Sequence, residues 1–210
     1  MTRTSLVTGA NRGIGLERAS QLARRGFRVV LAARDEGSGC QAVTEIQAAG
    51  GRATFFSLDV SDSRSIREAA GRFAKISDRL DVLVNNAGIY PDEGVTIATV
   101  PRDLLGRTFQ TNTFGPLEVT QAFLPYLRRG PSSRIINVSS GYGQLDGMSA
   151  DAPSYCLSKL ALNGVTIMLA DALRADGVAV NSMCPGWVRT DMGGPGARVR
   201  SRKELIPLFG

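Results

Sequence analysis

The eight residues TGANRGIG, Thr8 to Gly15, decide how this chain folds. They follow a short apolar run, SLVTG at 5–9, and open directly into a stretch with helical spacing from Ile14 to Arg25. Glycines at 9, 13 and 15 permit a tight turn and a close backbone approach, so free amides at the start of the helix can meet a pyrophosphate. The spacing is GxxxGxG, which differs from the GxGxxG fingerprint, but a strand before it and a helix after it are the context such a site needs.

Outward from that turn, the same alternation repeats. Further apolar runs are FRVVLAA (27–33), ATFFSL (53–58), LDVLVN (80–85), RIINVS (134–139) and VAVNSM (178–183). Between them, helical spacing extends from Gln41 to Ala49, Ser65 to Ile76, Leu117 to Leu127 and Tyr155 to Leu173. Strands rich in Val, Ile and Leu that alternate with helices predict an α/β fold, a doubly wound parallel sheet with helices on both faces. Ligands in such sheets bind outside the carboxyl ends of the strands, so the chemistry is expected just after each apolar run.

Composition narrows the function classes. A chain of 210 residues, 43% hydrophobic and 21% charged, suits one well-filled core, taken as a single domain over 1–195. It has no histidine, which excludes a Ser-His-Asp triad and a histidine-ligated metal. Cys40, Cys156 and Cys184 lack metal-ligand spacing and read as free thiols, so no metal site is expected. The apolar run at the N-terminus is too short for a signal peptide and no stretch approaches a membrane span, so a cytoplasmic protein is expected. Half of the +6 net charge comes from Arg198, Arg200, Arg202 and Lys203 against Glu204, which makes a nucleic-acid face a weak reading of the basic balance.

The second strand ends LAARDE. An acidic residue here would hold the ribose diol of NAD, whereas arginine would meet the 2′-phosphate of NADP. Arg34 is the first loop residue, and Arg12 is available from the glycine turn. Two charge-assisted contacts at roughly 1.5–3 kcal/mol each favour NADP(H) over NAD(H). Asp35, aimed at the ribose, is the reading that keeps NAD(H) open.

In YCLSK, Tyr155 and Lys159 lie four apart and so on one face of a helix. The helix follows the fifth strand, which ends NVSSG, so the hydroxyl of Ser139 or Ser140 is expected at the same cleft mouth. A free tyrosine has a pKa near 10, and a cation close by is expected to lower it by roughly one to three units, toward a usable general acid. The serine hydroxyl would orient and polarise a substrate carbonyl.

Taken in order, TGANRGIG, NNAG (Asn85 to Gly88), Asn112, NVSSG, YCLSK and PGWVRT (Pro185 to Thr190) resemble the classical short-chain dehydrogenase/reductase family, and within it the carbonyl reductases, over about residues 1–195. The resemblance implies a Rossmann fold and hydride transfer between NADP(H) and a carbonyl or alcohol carbon. It makes Tyr155 the proton donor, with Lys159 on the nicotinamide ribose and tuning the tyrosine. Ser140, the second of its pair, would bind the substrate oxygen, and Asn112 would anchor a relay water. The cofactor would lie on Gly9, Asn11, Arg12, Gly13, Ile14 and Gly15 of the turn and on Arg34. Asp59 and Val60 would flank the adenine, Asn86, Ala87 and Gly88 the adenosine ribose side, and Pro185, Gly186, Val188 and Thr190 the carboxamide. Monomeric carbonyl reductases carry an insertion between the serine and the tyrosine. This chain has none, so the helices at about 101–128 and 153–174 are expected to pair in a homodimer or homotetramer. Tyr142, Leu145, Met148 and Trp187 suggest an apolar pocket beside Tyr155 for a hydrophobic ketone or aldehyde.

The ending, RVRSRKELIPLFG from Arg198 to Gly210, departs from the family, whose members continue into a further helix and a seventh strand. In permitted codons the tail reads, one frame over, as V-E-E-G-A-D-T-P-V-W, a continuation resembling this branch. The expectation is a basic, poorly ordered tail at 196–210, out of frame from about 198, with a genuine short tail as the other reading. A sheet without its seventh strand would leave an apolar edge at Val178 to Met183. A truncated protein that binds cofactor with little turnover is the alternative function.

Overall fold

In the computed structural model, which describes residues 2–188, 190 and 192, β1 (Thr4–Thr8) runs through the glycine turn into α1 (Gly13–Arg24). Then follow β2 (Arg28–Ala33), α2 (Glu36–Ala48), β3 (Arg52–Ser57), α3 (Ser63–Phe73) and β4 (Val82–Asn85). Next, α4 (Arg102–Phe109) continues through a π turn (Gln110–Phe114) into α5 (Gly115–Leu127), which leads to β5 (Arg134–Val138), α6 (Pro153–Ala172) and β6 (Ala179–Met183). The tail predicted at 196–210 lies outside the described residues.

All strand pairs are parallel, in the order β3-β2-β1-β4-β5-β6. The chain winds outward from β1 to β3, then returns to place β4 beside β1, so the carboxyl ends of β1 and β4 part at a crevice. Register alternation sorts the core into two layers. Leu6, Val30, Leu83 and Ile135 meet Phe73 of α3 and Val119, Phe123 and Leu127 of α5. Val7, Leu31, Val84 and Ile136 meet Leu16, Ala19 and Leu22 of α1 and Ala42 and Ile46 of α2. β1 and β4 are buried throughout, as strands covered on both sides must be. Phe73 ties the first layer together, with ring centroids 5.3 Å from Phe123 and 4.8 Å from Tyr126 in edge-on packing.

Two details differ from the sequence reading. α2 begins at Glu36 and not at Gln41, because Asp35 caps it by accepting the Ser38 amide at 2.8 Å. Among the described residues β6 is the outer strand, but its edge is less apolar than expected. Alternation turns Val180 inward and leaves Ala179, Asn181 and Ser182 exposed, a mostly polar edge of the kind that discourages mispairing.

Candidate active site

The crevice at β1 and β4 is a cleft of about 510 Å³. Its floor is tied by Thr8, whose hydroxyl accepts the amides of Asn86 at 3.0 Å and Ala87 at 3.1 Å and so fixes the end of β4 against the glycine turn. Asn86 answers by donating its side-chain amide to the carbonyls of Thr8 at 2.9 Å and Gly9 at 3.0 Å. This closeness needs glycine: a Cβ on Gly9, whose φ is +61°, would stand 2.8 Å from the Ala87 Cα. On Gly15, a Cβ would run into the Gly9 carbonyl oxygen. Gly13 also has positive φ, +58°, but faces open space up to Thr190, whose Cγ2 would be 3.5 Å from a Cβ. The backbone cradle at the head of α1 thus fits a pyrophosphate, and the residues Gly9, Asn11, Arg12, Gly13, Ile14 and Gly15 all line it.

At the other end of the cleft stand Arg34, Asp59 and Val60, with the Arg34 guanidinium 3.9 Å from the Asp59 carboxylate. Asp35, the residue that kept a ribose contact open, is committed elsewhere. Its carboxylate accepts both the amide and the hydroxyl of Ser38, and those hydrogen bonds hold it below the usual aspartate range. The same Ser38 hydroxyl accepts the side-chain amide of Asn11 at 2.9 Å. Arg34, 70% exposed in its side chain, is the cation at this end of the cleft, beside Asp59, and it suits a phosphate better than a diol.

Midway along the cleft, Asn86, Ala87 and Gly88 form one wall, and Tyr155 and Lys159 the other. The Tyr155 ring is packed edge-on by Tyr90, with centroids 4.9 Å apart, and by Tyr142 at 6.3 Å. Lys159 is buried beneath it, with Nζ 5.6 Å from the ring centroid and donating to the Val138 carbonyl at 2.8 Å. Burial pushes its pKa down to about 8. Here the structure corrects the expected tuning: burial raises the Tyr155 hydroxyl above its ordinary value, and the group that draws it back is a hydrogen bond with Ser140, not the lysine charge. Of the serine pair, Ser140 is therefore the one at the tyrosine. The Ser139 hydroxyl, also on the cleft, is buried and makes no hydrogen bond among the described residues.

Asn112 is fully buried in the π turn. Its amide accepts from Ile89 N at 2.9 Å and donates to the Ile89 carbonyl at 2.9 Å and the Ser158 hydroxyl at 3.1 Å, so both of its N–H groups are spent within the protein. Pro185 and Thr190 line the cleft, whereas Gly186 and the buried Val188 do not. Of the apolar side chains expected beside Tyr155, Tyr142 has a ring contact with it, whereas Leu145, Met148 and Trp187 are exposed and outside the cleft lining. Sequence reasoning missed Tyr90 and Asp92, which follow the NNAG motif closely but carry no motif of their own.

A glycine-rich backbone cradle and a tyrosine–lysine pair thus share one cleft at the switch point of a parallel sheet, an arrangement suited to a nucleotide-dependent oxidoreductase. The chain belongs to the short-chain dehydrogenase family: the family model described as short chain dehydrogenase matches residues 3–198. Among curated proteins it is 34% identical to (+)-neomenthol dehydrogenase of Arabidopsis thaliana, covering 90% of this chain and 84% of that one. It is 35% identical to carbonyl reductase (NADPH) 1 of Bos taurus, covering 92% and 84%. Among solved structures it resembles NADPH-bound carbonyl reductase from chicken fatty liver, with a TM-score of 0.84, 34% identity and coverage of 92% and 82%. The RhlG/NADP complex of Pseudomonas aeruginosa gives a TM-score of 0.85 at 33% identity, covering 90% and 74%. Among the described residues, no helix is long and apolar enough to cross a membrane.

Proposed function

We propose that this protein reduces a carbonyl compound to an alcohol, or runs the reverse reaction, with NADP(H) and a Ser-Tyr-Lys-Asn site. The observation that carries the reading is Tyr155 on the cleft wall, its hydroxyl within the influence of Ser140 and its ring 5.6 Å from the Lys159 Nζ. The similarity to NADPH-dependent carbonyl reductases supports the reaction and the cofactor, and Arg34 with a preoccupied Asp35 supports the phosphorylated form.

NADP(H) held on the glycine turn and by Lys159 would supply the hydride chemistry. Ser140 holds the substrate oxygen and Tyr155 gives it the proton in reduction. Lys159, on the same cleft wall, holds the nicotinamide ribose and adds positive charge as the tyrosinate forms. Asn112 serves through position, bracing the segment at Ile89 against α6, with one lone pair of its Oδ1 left for a relay water. The edge-on rings of Tyr90 and Tyr142 support a hydrophobic ketone or aldehyde. Ile167 and Met168, exposed on α6, support a homo-oligomer built on that helix. The three free cysteines support a reducing, cytoplasmic setting.

The experiment is a fluorescence titration with NADPH and NADH, followed by a panel of hydrophobic ketones and aldehydes with Tyr155→Phe as control. Tyr155-dependent oxidation of NADPH is expected. Binding without turnover would leave a cofactor-binding protein in its place.

A further inference from the structure

Asp92 is buried at 4% exposure in the loop after β4 and forms no ion pair among the described residues. Its carboxylate accepts three hydrogen bonds, all from the first turn of α6: the Ser154 amide at 2.9 Å, the Ser154 hydroxyl at 2.7 Å and the Tyr155 amide at 3.0 Å. That helix has no cap of its own. The residue before it, Ala152, sits in the left-handed region at φ 52° and makes no side-chain capping bond, and Pro153 at the first position has no N–H. The donors that a helix start leaves without an intrahelical partner are therefore met by a residue from another part of the chain, and the negative charge suits the positive end of the helix.

The short segment Ile89 to Asp92 makes the other contacts around the site as well. Ile89 brackets the Asn112 amide and the Tyr90 ring packs on Tyr155. From Ser154, a 3.0 Å hydroxyl contact reaches Thr108 of α4. Lys159 is held independently one turn further along, by the Val138 carbonyl. Loss of the Asp92 carboxylate would thus release the turn that carries Tyr155 while leaving the lysine anchored.

We propose that Asp92 is a positioning residue for Tyr155, fixing the first turn of α6 so that the tyrosine hydroxyl meets Ser140 and the reacting carbonyl. The inference rests on the reading of Tyr155 as proton donor. It predicts a split: turnover falls while cofactor affinity stays, because misplacing a reacting group by about an ångström lowers the rate by up to roughly a hundredfold without touching the phosphate cradle.

The test measures, for wild type, Asp92→Ala, Asp92→Asn and Tyr155→Phe, the NADPH dissociation constant, the number of NADPH sites and kcat per site with the best carbonyl of the panel. Amide hydrogen exchange at Ser154 and Tyr155 is followed without substrate. The control is Asp81→Ala. Asp81 is a second buried carboxylate, at the opposite end of the sheet, which accepts the Thr4 amide at 2.7 Å. Expected for Asp92→Ala are faster exchange at both amides, an unchanged NADPH constant and kcat per site lower by about 10- to 100-fold. Asp92→Asn, near-isosteric with one acceptor oxygen fewer, should lose less. Asp81→Ala should lower the melting temperature with kcat per site intact. An Asp92→Ala protein whose kcat per site matches wild type overturns the inference, whatever its melting temperature. Should that variant not bind NADPH, Asp92→Asn decides in the same terms: a lower kcat per site at equal affinity supports the inference and an equal one overturns it. Turnover that survives Tyr155→Phe removes the underlying reading and this inference with it, whereas its loss in Tyr155→Phe beside intact turnover in both Asp92 variants overturns this inference alone.

Discussion

Lys159 Nζ lies over the Tyr155 ring, 5.6 Å from its centroid, and is pinned there by the Val138 carbonyl at 2.8 Å. The pair is one helical turn apart on α6, so the backbone fixes their spacing and β5 fixes their depth. A lysine buried so deeply is poorly solvated, and the half-buried tyrosine beside it is partly shielded from water as well. Each therefore resists its charged form until the other, or a ligand, compensates.

On the proposed role, Tyr155→Phe removes the proton donor and its interaction with Ser140, while the ring packing against Tyr90 and Tyr142 remains. We expect kcat to fall by roughly 10²–10⁴, the range of positioned general acid catalysis, with NADPH affinity within about twofold of wild type. Steady-state kinetics beside a fluorescence titration checks both.

The depressed lysine makes stability pH-dependent in a defined window. The Lys159 pKa is about 8 in the folded chain against 10.5 for the free group, so between these values the unfolded state binds more protons than the folded one. Stability then rises with pH across that window and is lost as pH falls through about 8. The full effect is on the order of 3 kcal/mol. Urea unfolding at pH 7.5 and 9.5, compared with Lys159→Met, should show the wild type gaining on the variant at the higher pH. A constant difference between the two would place the lysine in a better-solvated site than the Val138 contact implies.

We expect Arg34 to set the preference between the two cofactors. Asp35 is held by Ser38, which leaves the arginine to meet the 2′-phosphate. Arg34→Ala should weaken NADPH binding by roughly ten- to a hundredfold, the value of one charge-assisted contact, and leave NADH binding nearly unchanged. Parallel titrations with the two cofactors give the ratio directly. Equal losses for both would assign Arg34 to the shared pyrophosphate or adenine.

What could be read from sequence was what is local or periodic. The glycine turn, the parallel alternation and the four-residue spacing of Tyr155 and Lys159 are each set within a few residues, and each stands where expected. Asp92 was not legible, because its partners Ser154 and Tyr155 lie some sixty residues further along and the contact exists only once α6 has packed. The direction of the Tyr155 shift was misread for a related reason. Charge proximity shows in a spacing, but the desolvation that outweighs it is a property of the packed site. Asp35 was ambiguous until the start of α2 gave its carboxylate a partner.

The glycine turn offers a contrast between two positions with the same backbone and different surroundings. Gly9 and Gly13 both have positive φ, +61° and +58°, so alanine at either carries a left-handed strain of about 1–2 kcal/mol. At Gly9 the new methyl would also press on the Ala87 backbone, 2.8 Å away, which Thr8 holds in place and which cannot move without parting β1 from β4. At Gly13 the methyl would meet only the Thr190 side chain at 3.5 Å, an ordinary contact, and would project into the cleft where the proposed cofactor's pyrophosphate would approach. Gly9→Ala should therefore lower the melting temperature more than Gly13→Ala does. Gly13→Ala should unfold cooperatively about 2–8 °C below wild type, the cost of the left-handed strain alone, yet bind NADPH at least tenfold more weakly, because the further loss falls on backbone approach and not on the core. Melting curves with and without NADPH read both quantities at once. If Gly13→Ala is stabilised by NADPH as much as wild type is, the cofactor does not lie against this turn. If the two variants melt alike, the approach of Ala87 to β1 yields more readily than the Thr8 hydrogen bonds imply.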